Sequence, residues 1–212
     1  MSKFESLIAD HFYINLDERN DRLKHCESEL KKIGLDKPCR FSAIKTKQGI
    51  IGCGLSHLKC IETAKKEHLP FIAIFEDDIV INKANKLKNQ VNRILDSGVK
   101  WDVLCLGGNA FLPHKEVSDD YIIVNRMYCG TAYIVKEHFY DTMIANIKFS
   151  LEMLMKTGDR RYSWDSDEGW IALQREHRFL LLTEPQVYQR EDYSDIENTV
   201  VDYKELMLEI NK

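Results

Sequence analysis

Five apolar residues in a row, Phe71-Ile72-Ala73-Ile74-Phe75, run straight into three acids, Glu76-Asp77-Asp78. The run follows Pro70 and reads as a short buried strand. A strand that delivers three carboxylates at its end is costly, because like charges repel and each loses part of its hydration. Two readings remain open at this point. A divalent cation makes such a cluster favourable, and hard oxygen ligands suit Mn²⁺ or Mg²⁺ and a phosphate-bearing substrate. The acids also suit the positive N-terminus of a following helix.

The rest of the chain alternates strand and helix patterns. Phe12 to Leu16 reads as a strand, and Asp17 opens a helix with Leu23, Cys26, Leu30 and Ile33 on one face, stopped by Gly34. Cys39 to Ile44 is a second strand. Ser56 is placed to cap a helix whose inner face is Leu58, Ile61 and Ala64. Leu87, Val91, Ile94 and Leu95 mark a third helix, and Trp101 to Leu106 another strand. Tyr121 to Val124 and Thr131 to Val135 read as a pair of strands, antiparallel to each other. Phe139, Met143, Ile147, Leu151 and Leu154 give a long amphipathic helix. A short helix is expected from about Asp167, a last strand at Phe179 to Leu182, and a terminal helix at Tyr203 to Ile210. This alternation predicts an α/β fold with a mostly parallel sheet covered on both faces. Ligands then gather at the carboxyl ends of the strands. Asn15-Asp17-Arg19, Glu76-Asp77-Asp78 and Gly107-Gly108-Asn109 all fall there.

With 212 residues there is room for one good core, so residues 1–212 are read as a single domain. A net charge of -4 argues against nucleic acid as a main partner. No apolar run approaches the roughly 20 residues that span a bilayer. The start, Met1-Ser2-Lys3-Phe4-Glu5, lacks the apolar core of a signal peptide. Cysteines 26, 39, 53, 60, 105 and 129 form no C-x-x-C pair, which argues against a structural zinc site and for free thiols in a reducing compartment. Cytoplasm is therefore the expected location.

Several clusters carry chemistry of their own. Arg19 and Arg22 lie three apart near a helix start, where paired guanidiniums suit a diphosphate; they equally suit an exposed turn laced with ion pairs. Gly49-Ile50-Ile51-Gly52-Cys53-Gly54-Leu55-Ser56-His57 matches neither the Walker A loop nor the dinucleotide fingerprint. Its glycines permit close approach to a ligand, and His57 either donates to a phosphate or sugar hydroxyl or packs at a helix start. Trp164-Asp165-Ser166-Asp167-Glu168-Gly169-Trp170 combines carboxylates with aromatic faces that stack on sugar rings. A carboxylate there can serve as general base toward an alcohol. Gln189 offers a neutral oxygen to a metal, and Arg190 offers charge to phosphate.

Taken together, these residues resemble glycosyltransferase family 25, the family of bacterial lipooligosaccharide galactosyltransferases and collagen galactosyltransferases. Its "INLDR..DR" signature is similar to Ile14-Asn15-Leu16-Asp17-Glu18-Arg19 through Asp21-Arg22. Its "GEIGC..SH" block is similar to residues 49–57, and its "hhEDD" strand end to Ile74-Phe75-Glu76-Asp77-Asp78. The resemblance covers roughly the first half of the chain and only loosely the second. It implies a GT-A fold with a small antiparallel element, a UDP-sugar donor, Mn²⁺ and inversion at the anomeric carbon. The acceptor would be a hydroxyl of a glycan or protein. Carried over, Asp78 is the metal ligand, with Asp77 and Gln189 completing the set; Asp77 or Glu76 meets ribose or a metal-bound water. Asn15, Asp17, Arg19, Arg22, Lys45, Thr46, Ser56 and His57 shape the nucleotide pocket, and Asp167 is the general base with Glu168 behind it. Three departures stand out: no histidine follows His177, Glu18 replaces a basic residue, and Ile50 replaces a glutamate.

Two rivals use the same residues. A metal-dependent nucleotidyltransferase or phosphohydrolase would release pyrophosphate or phosphate. A sugar-nucleotide-binding module would turn nothing over.

Overall fold

The computed structural model describes residues 2–212. In chain order, α1 (Lys3–Leu7) precedes β1 (His11–Asn15), α2 (Asn20–Lys32), β2 (Arg40–Ser42) and α3 (Gly49–Lys66). Then follow β3 (Phe71–Glu76), β4 (Ile79–Ile81), α4 (Ala84–Asp96), β5 (Val103–Phe111), β6 (Glu116–Val117), β7 (Tyr121–Ile123) and β8 (Arg126–Lys136). The chain ends with α5 (Tyr140–Thr157), α6 (Trp170–Glu176), β9 (Phe179–Leu182), β10 (Val187–Gln189), β11 (Asp192–Ser194), β12 (Thr199–Val201) and α7 (Lys204–Leu208).

The main sheet has 8 strands in the order β2-β1-β3-β8-β5-β9-β7-β6. β1 is parallel to β2 and β3, and β5 is parallel to β9. β8 lies antiparallel between β3 and β5, so those two run the same way. The outer strands β7 and β6 alternate in direction. The α/β class expected from the sequence holds: a mostly parallel sheet flanked by helices, with small antiparallel elements. Two of those elements are separate two-stranded sheets, β4 with β10 and β11 with β12.

Strand alternation divides the core into two layers. On β3, Ile72 and Ile74 point toward α3, α5 and α6, while Ala73 and Phe75 point toward α1, α2 and α4. Both faces of β3 are thus buried, as its unbroken apolar run requires. The expected pairing of Tyr121–Val124 with Thr131–Val135 does not occur. β8 is buried over residues 130–135 and needs a strand on each side, which β3 and β5 supply. β7 pairs instead with β9 and β6. All six cysteines are free. No helix among the described residues is long and apolar enough to cross a membrane.

Candidate active site

A cavity of about 730 Å³ opens where β1 and β3 end, beside the far half of β5. The first turns of α3, the segment 160–166 and the β11–β12 hairpin close its sides. Glu76, Asp77 and Asp78 all line it, which is the crevice that a sheet of this topology offers to ligands.

The acid cluster is held from two sides. Asn15, at the end of β1, donates through Nδ2 to Asp77 Oδ2 at 2.7 Å. Its own Oδ1 accepts from Arg40 Nε at 3.0 Å. Arg22 donates through Nη1 to Asp77 Oδ1 at 3.0 Å and to Asp78 Oδ2 at 3.1 Å. Glu76 accepts from Gln189 Nε2 at 3.0 Å. β10 brings Gln189 there by pairing with β4, the short strand directly after the acids. The N-terminal helix reading of the triplet therefore gives way: a turn and β4 follow the acids, and α4 starts only at Ala84.

One guanidinium does not neutralise three acids. Burial, then the neighbouring Glu76, pushes the Asp78 carboxyl up to about 7. Burial, then Asp165 and Asp77, pushes Glu76 up to about 7 as well. Asp78 Oδ1 is buried and makes no hydrogen bond. An unpartnered, buried carboxylate oxygen on a cavity-lining residue, among acids short of positive charge, fits a hard divalent cation.

The arginines form a second network. Arg19 reaches Asp21, Asp192 and Asp195, each at 3.0–3.1 Å. Arg22 Nε donates to Asp192 Oδ2 at 2.9 Å, and Arg190 Nη2 meets the same oxygen at 2.7 Å. Burial works against the Asp192 charge, but the Arg190 hydrogen bond, the Tyr193 N–H and the charge of Arg22 hold its carboxyl down to about 2. The hairpin is thus tied across the cavity by arginines that the sequence assigns to a diphosphate.

Other expected residues are scattered. Lys45 and Thr46 line the cavity, and Lys45 pairs with Glu18. Asp17 does not line it; its side chain is 73% exposed and binds Arg40 and Ser42. Ser56 is not a helix cap, because α3 already begins at Gly49. Its hydroxyl donates to Gly52 O at 2.7 Å and accepts from Ile44 N at 2.9 Å, bracing the loop after β2. The glycines of this block approach protein rather than ligand: a Cβ on Gly52 would lie 2.3 Å from Ile44 O. Packing demand overrides their poor helix propensity.

His57 is fully buried. It stacks on Trp164 with centroids 4.0 Å apart, and its Nδ1 is 2.8 Å from Tyr133 Oη. Burial lowers its pKa to about 3, so the imidazole is neutral. The six-membered ring of Trp164 presses on Gly130, where an added Cβ would meet it at 2.0 Å. Gly130→Ala is therefore expected to push the indole off His57 and to lower stability by about 1–3 kcal/mol. Thermal unfolding checks this, at roughly 2–4 °C per kcal/mol for a chain of this size.

The second acidic cluster is arranged differently from its expected use. Asp167 accepts from Tyr128 Oη at 2.9 Å and lies 3.8 Å from Arg126, outside the cavity lining. Glu168 is exposed and also outside it. Asp165 is the acid that faces the cavity, its Oδ1 accepting from Ser163 Oγ at 2.8 Å. Spacing alone does not reveal which of three neighbouring acids in an irregular segment points inward. Asp192, the knot of the arginine network, gives no motif signal at all.

Residues 47–140 match the model of glycosyltransferase family 25 (LPS biosynthesis protein). Over 98 residues the chain is 30% identical to a Rattus norvegicus protein named probable inactive glycosyltransferase 25 family member 3, a stretch that is 45% of this chain and 17% of that protein. The chain thus spans less than a fifth of the length of this curated relative. Among solved structures, A197 from STIV superposes over 90% of this chain and 91% of its own, with a TM-score of 0.50 at 13% identity, a likeness of fold alone. A glycosyltransferase involved in the glycosylation of the major capsid of PBCV-1 aligns over 81% of this chain and 80% of its own, with a TM-score of 0.47 at 8% identity. The resemblance read from the sequence is thereby supported over residues 47–140, which hold the glycine-rich block and the acid cluster and match the family's model.

Proposed function

We propose that this chain is a metal-dependent inverting glycosyltransferase that moves a sugar from a UDP-sugar to a hydroxyl of a glycan or protein acceptor. The observation that carries the reading is the unpartnered, buried Oδ1 of Asp78, a residue just past β3 that lines the same cavity as Arg19 and Arg22. Asp78 and Asp77 would hold Mn²⁺ or Mg²⁺, with Gln189 beside them. A cation bound there supplies positive charge against the departing diphosphate.

The chain's own residues take the remaining roles. Arg19 and Arg22 exchange Asp192 and Asp195 for phosphate oxygens. Lys45 and Thr46 line the nucleotide side. The acceptor hydroxyl needs a base across the cavity from the metal acids, and Asp165 faces that space. Asp167 acts one step back, orienting Tyr128. Asp165→Asn is expected to lower kcat about 100-fold or more, whereas Asp167→Asn changes it much less. Initial rates of UDP release at saturating donor check this, and equal losses would return the base to Asp167.

The reading as a whole is tested by thermal stabilisation with UDP, UDP-sugars and ATP, each with and without Mn²⁺. Stabilisation by UDP only with Mn²⁺, followed by UDP release from a UDP-sugar, supports a transferase. Stabilisation without release supports a binding module, a reading that the fully engaged arginines favour. Preference for ATP, with release of phosphate or pyrophosphate, supports the nucleotidyltransferase or phosphohydrolase class.

A further inference from the structure

Beside the hard acids lies a softer set of ligands. Cys53 and His57 stand one helical turn apart on α3, so both side chains leave the same face. That face looks at Glu76. Cys53 Sγ, a ring nitrogen of His57 and a Glu76 carboxylate oxygen all lie within 4.8 Å of one another. We propose that these three residues form a second, zinc-selective site, distinct from the Asp77–Asp78 pair.

The spacing supports it. Ligands at about 2.0–2.3 Å around a tetrahedral zinc ion lie roughly 3.3–3.7 Å from each other. His57 Nε2 is 3.3 Å from Glu76 Oε1, within that range, and Cys53 Sγ is 3.9 Å from the same oxygen, so the sulfur has to move in by a few tenths of an ångström. For an ordinary N–H···O hydrogen bond 3.3 Å is long; for two ligands of one ion it needs no adjustment. The imidazole is already oriented for the task. Tyr133 Oη sits 2.8 Å from Nδ1, so a proton on Nδ1 donated to this oxygen leaves the Nε2 lone pair facing Glu76. Trp164 stacks on the ring and fixes its plane. All three ligands line the cavity, which gives the ion an entry path and a solvent molecule as fourth ligand. The missing C-x-x-C pair is no obstacle, because helical spacing supplies the sulfur and the nitrogen together.

Binding follows a simple balance. The Cys53 thiol releases its proton to solvent, the thiolate and the Nε2 lone pair bind the ion, and Glu76 binds as carboxylate. A thiolate with an imidazole prefers zinc to manganese or magnesium.

The test uses the full chain, stripped of metal and titrated with zinc against a chromophoric indicator. One zinc per chain is expected, with one sulfur in its first shell by X-ray absorption and a thiolate-to-metal band when cobalt replaces zinc. Cys53→Ser should remove the sulfur signal and weaken zinc binding by about 100-fold or more. Glu76→Gln should weaken it while keeping the sulfur. Cys39→Ser, at an exposed cysteine, should leave it unchanged, and Asp78→Asn should keep the bound zinc and its sulfur signal. A wild-type zinc shell without sulfur overturns the proposal, whatever the variants do. So does full zinc affinity in Cys53→Ser, or loss of the site in Asp78→Asn.

Discussion

Asp78→Asn is expected to abolish metal-supported donor turnover and, at the same time, to make the metal-free protein more stable above neutral pH. The sign follows from the raised carboxyl of Asp78. Between the ordinary carboxylate range and about 7, the folded chain holds a proton that the unfolded chain has lost, so folding weakens as pH rises through that window. Asparagine removes the charge that must be buried. Wild type and variant should melt together below about pH 4 and diverge progressively above it, by on the order of 4 kcal/mol near pH 8, the variant being higher. Mn²⁺ should raise the wild-type melting temperature near pH 8 and leave the variant where it was. Asp192 titrates in the opposite sense. Its carboxyl is held down to about 2, so the stability it contributes is lost only as pH falls from the ordinary carboxylate range toward that value. A variant with wild-type turnover, or one destabilised near pH 8 in the absence of metal, contradicts this account of the site.

Arg22→Met is expected to produce the largest loss of stability of any single change in the cavity. Arg22 meets Asp77, Asp78 and Asp192 with little exposure to solvent. Methionine keeps much of the stem and removes the charge, leaving acids packed against acids. Breaking a buried ion pair from one side costs about 3–5 kcal/mol, or on the order of 10 °C in melting temperature here. Two rescues should follow. Lower pH recovers part of the loss, because Asp78 takes up a proton. Mn²⁺ should stabilise this variant more than wild type, since the cation replaces the missing guanidinium. Differential scanning calorimetry over a pH series, with and without Mn²⁺, measures both; a melting temperature within a degree or two of wild type would remove Arg22 from its assigned place.

The sequence declared the central scaffold through its strongest signals. The Phe71–Phe75 run, the 3.6-period face of α2 and the long face of α5 each depend on local pattern, and each is found close to where the pattern puts it. Errors arise where distant contacts decide. Gly52 and Gly54 read as loop because glycine is a poor helix former, yet α3 needs them small where the loop after β2 and Leu151 press against it. β8 shows its apolar residues but not its partners, since register between strands far apart in sequence leaves no local trace. The acids at 76–78 were legible because three in a row after a buried strand is rare. Asp165 and Asp192 were not, because ordinary surface loops carry acids just as often and only tertiary placement turns these two inward.

The antiparallel insertion of β8 between β3 and β5 has a consequence for synthesis on the ribosome. Until residues 126–136 emerge, β3, which leads into the acid cluster, has one neighbour and a bare edge, the situation in which chains stick to one another. A nascent chain halted shortly before that point should need a chaperone to stay dispersed, whereas one extended beyond it can cover the open edge of β3, and one extended past β9 can complete the sheet and release the helper.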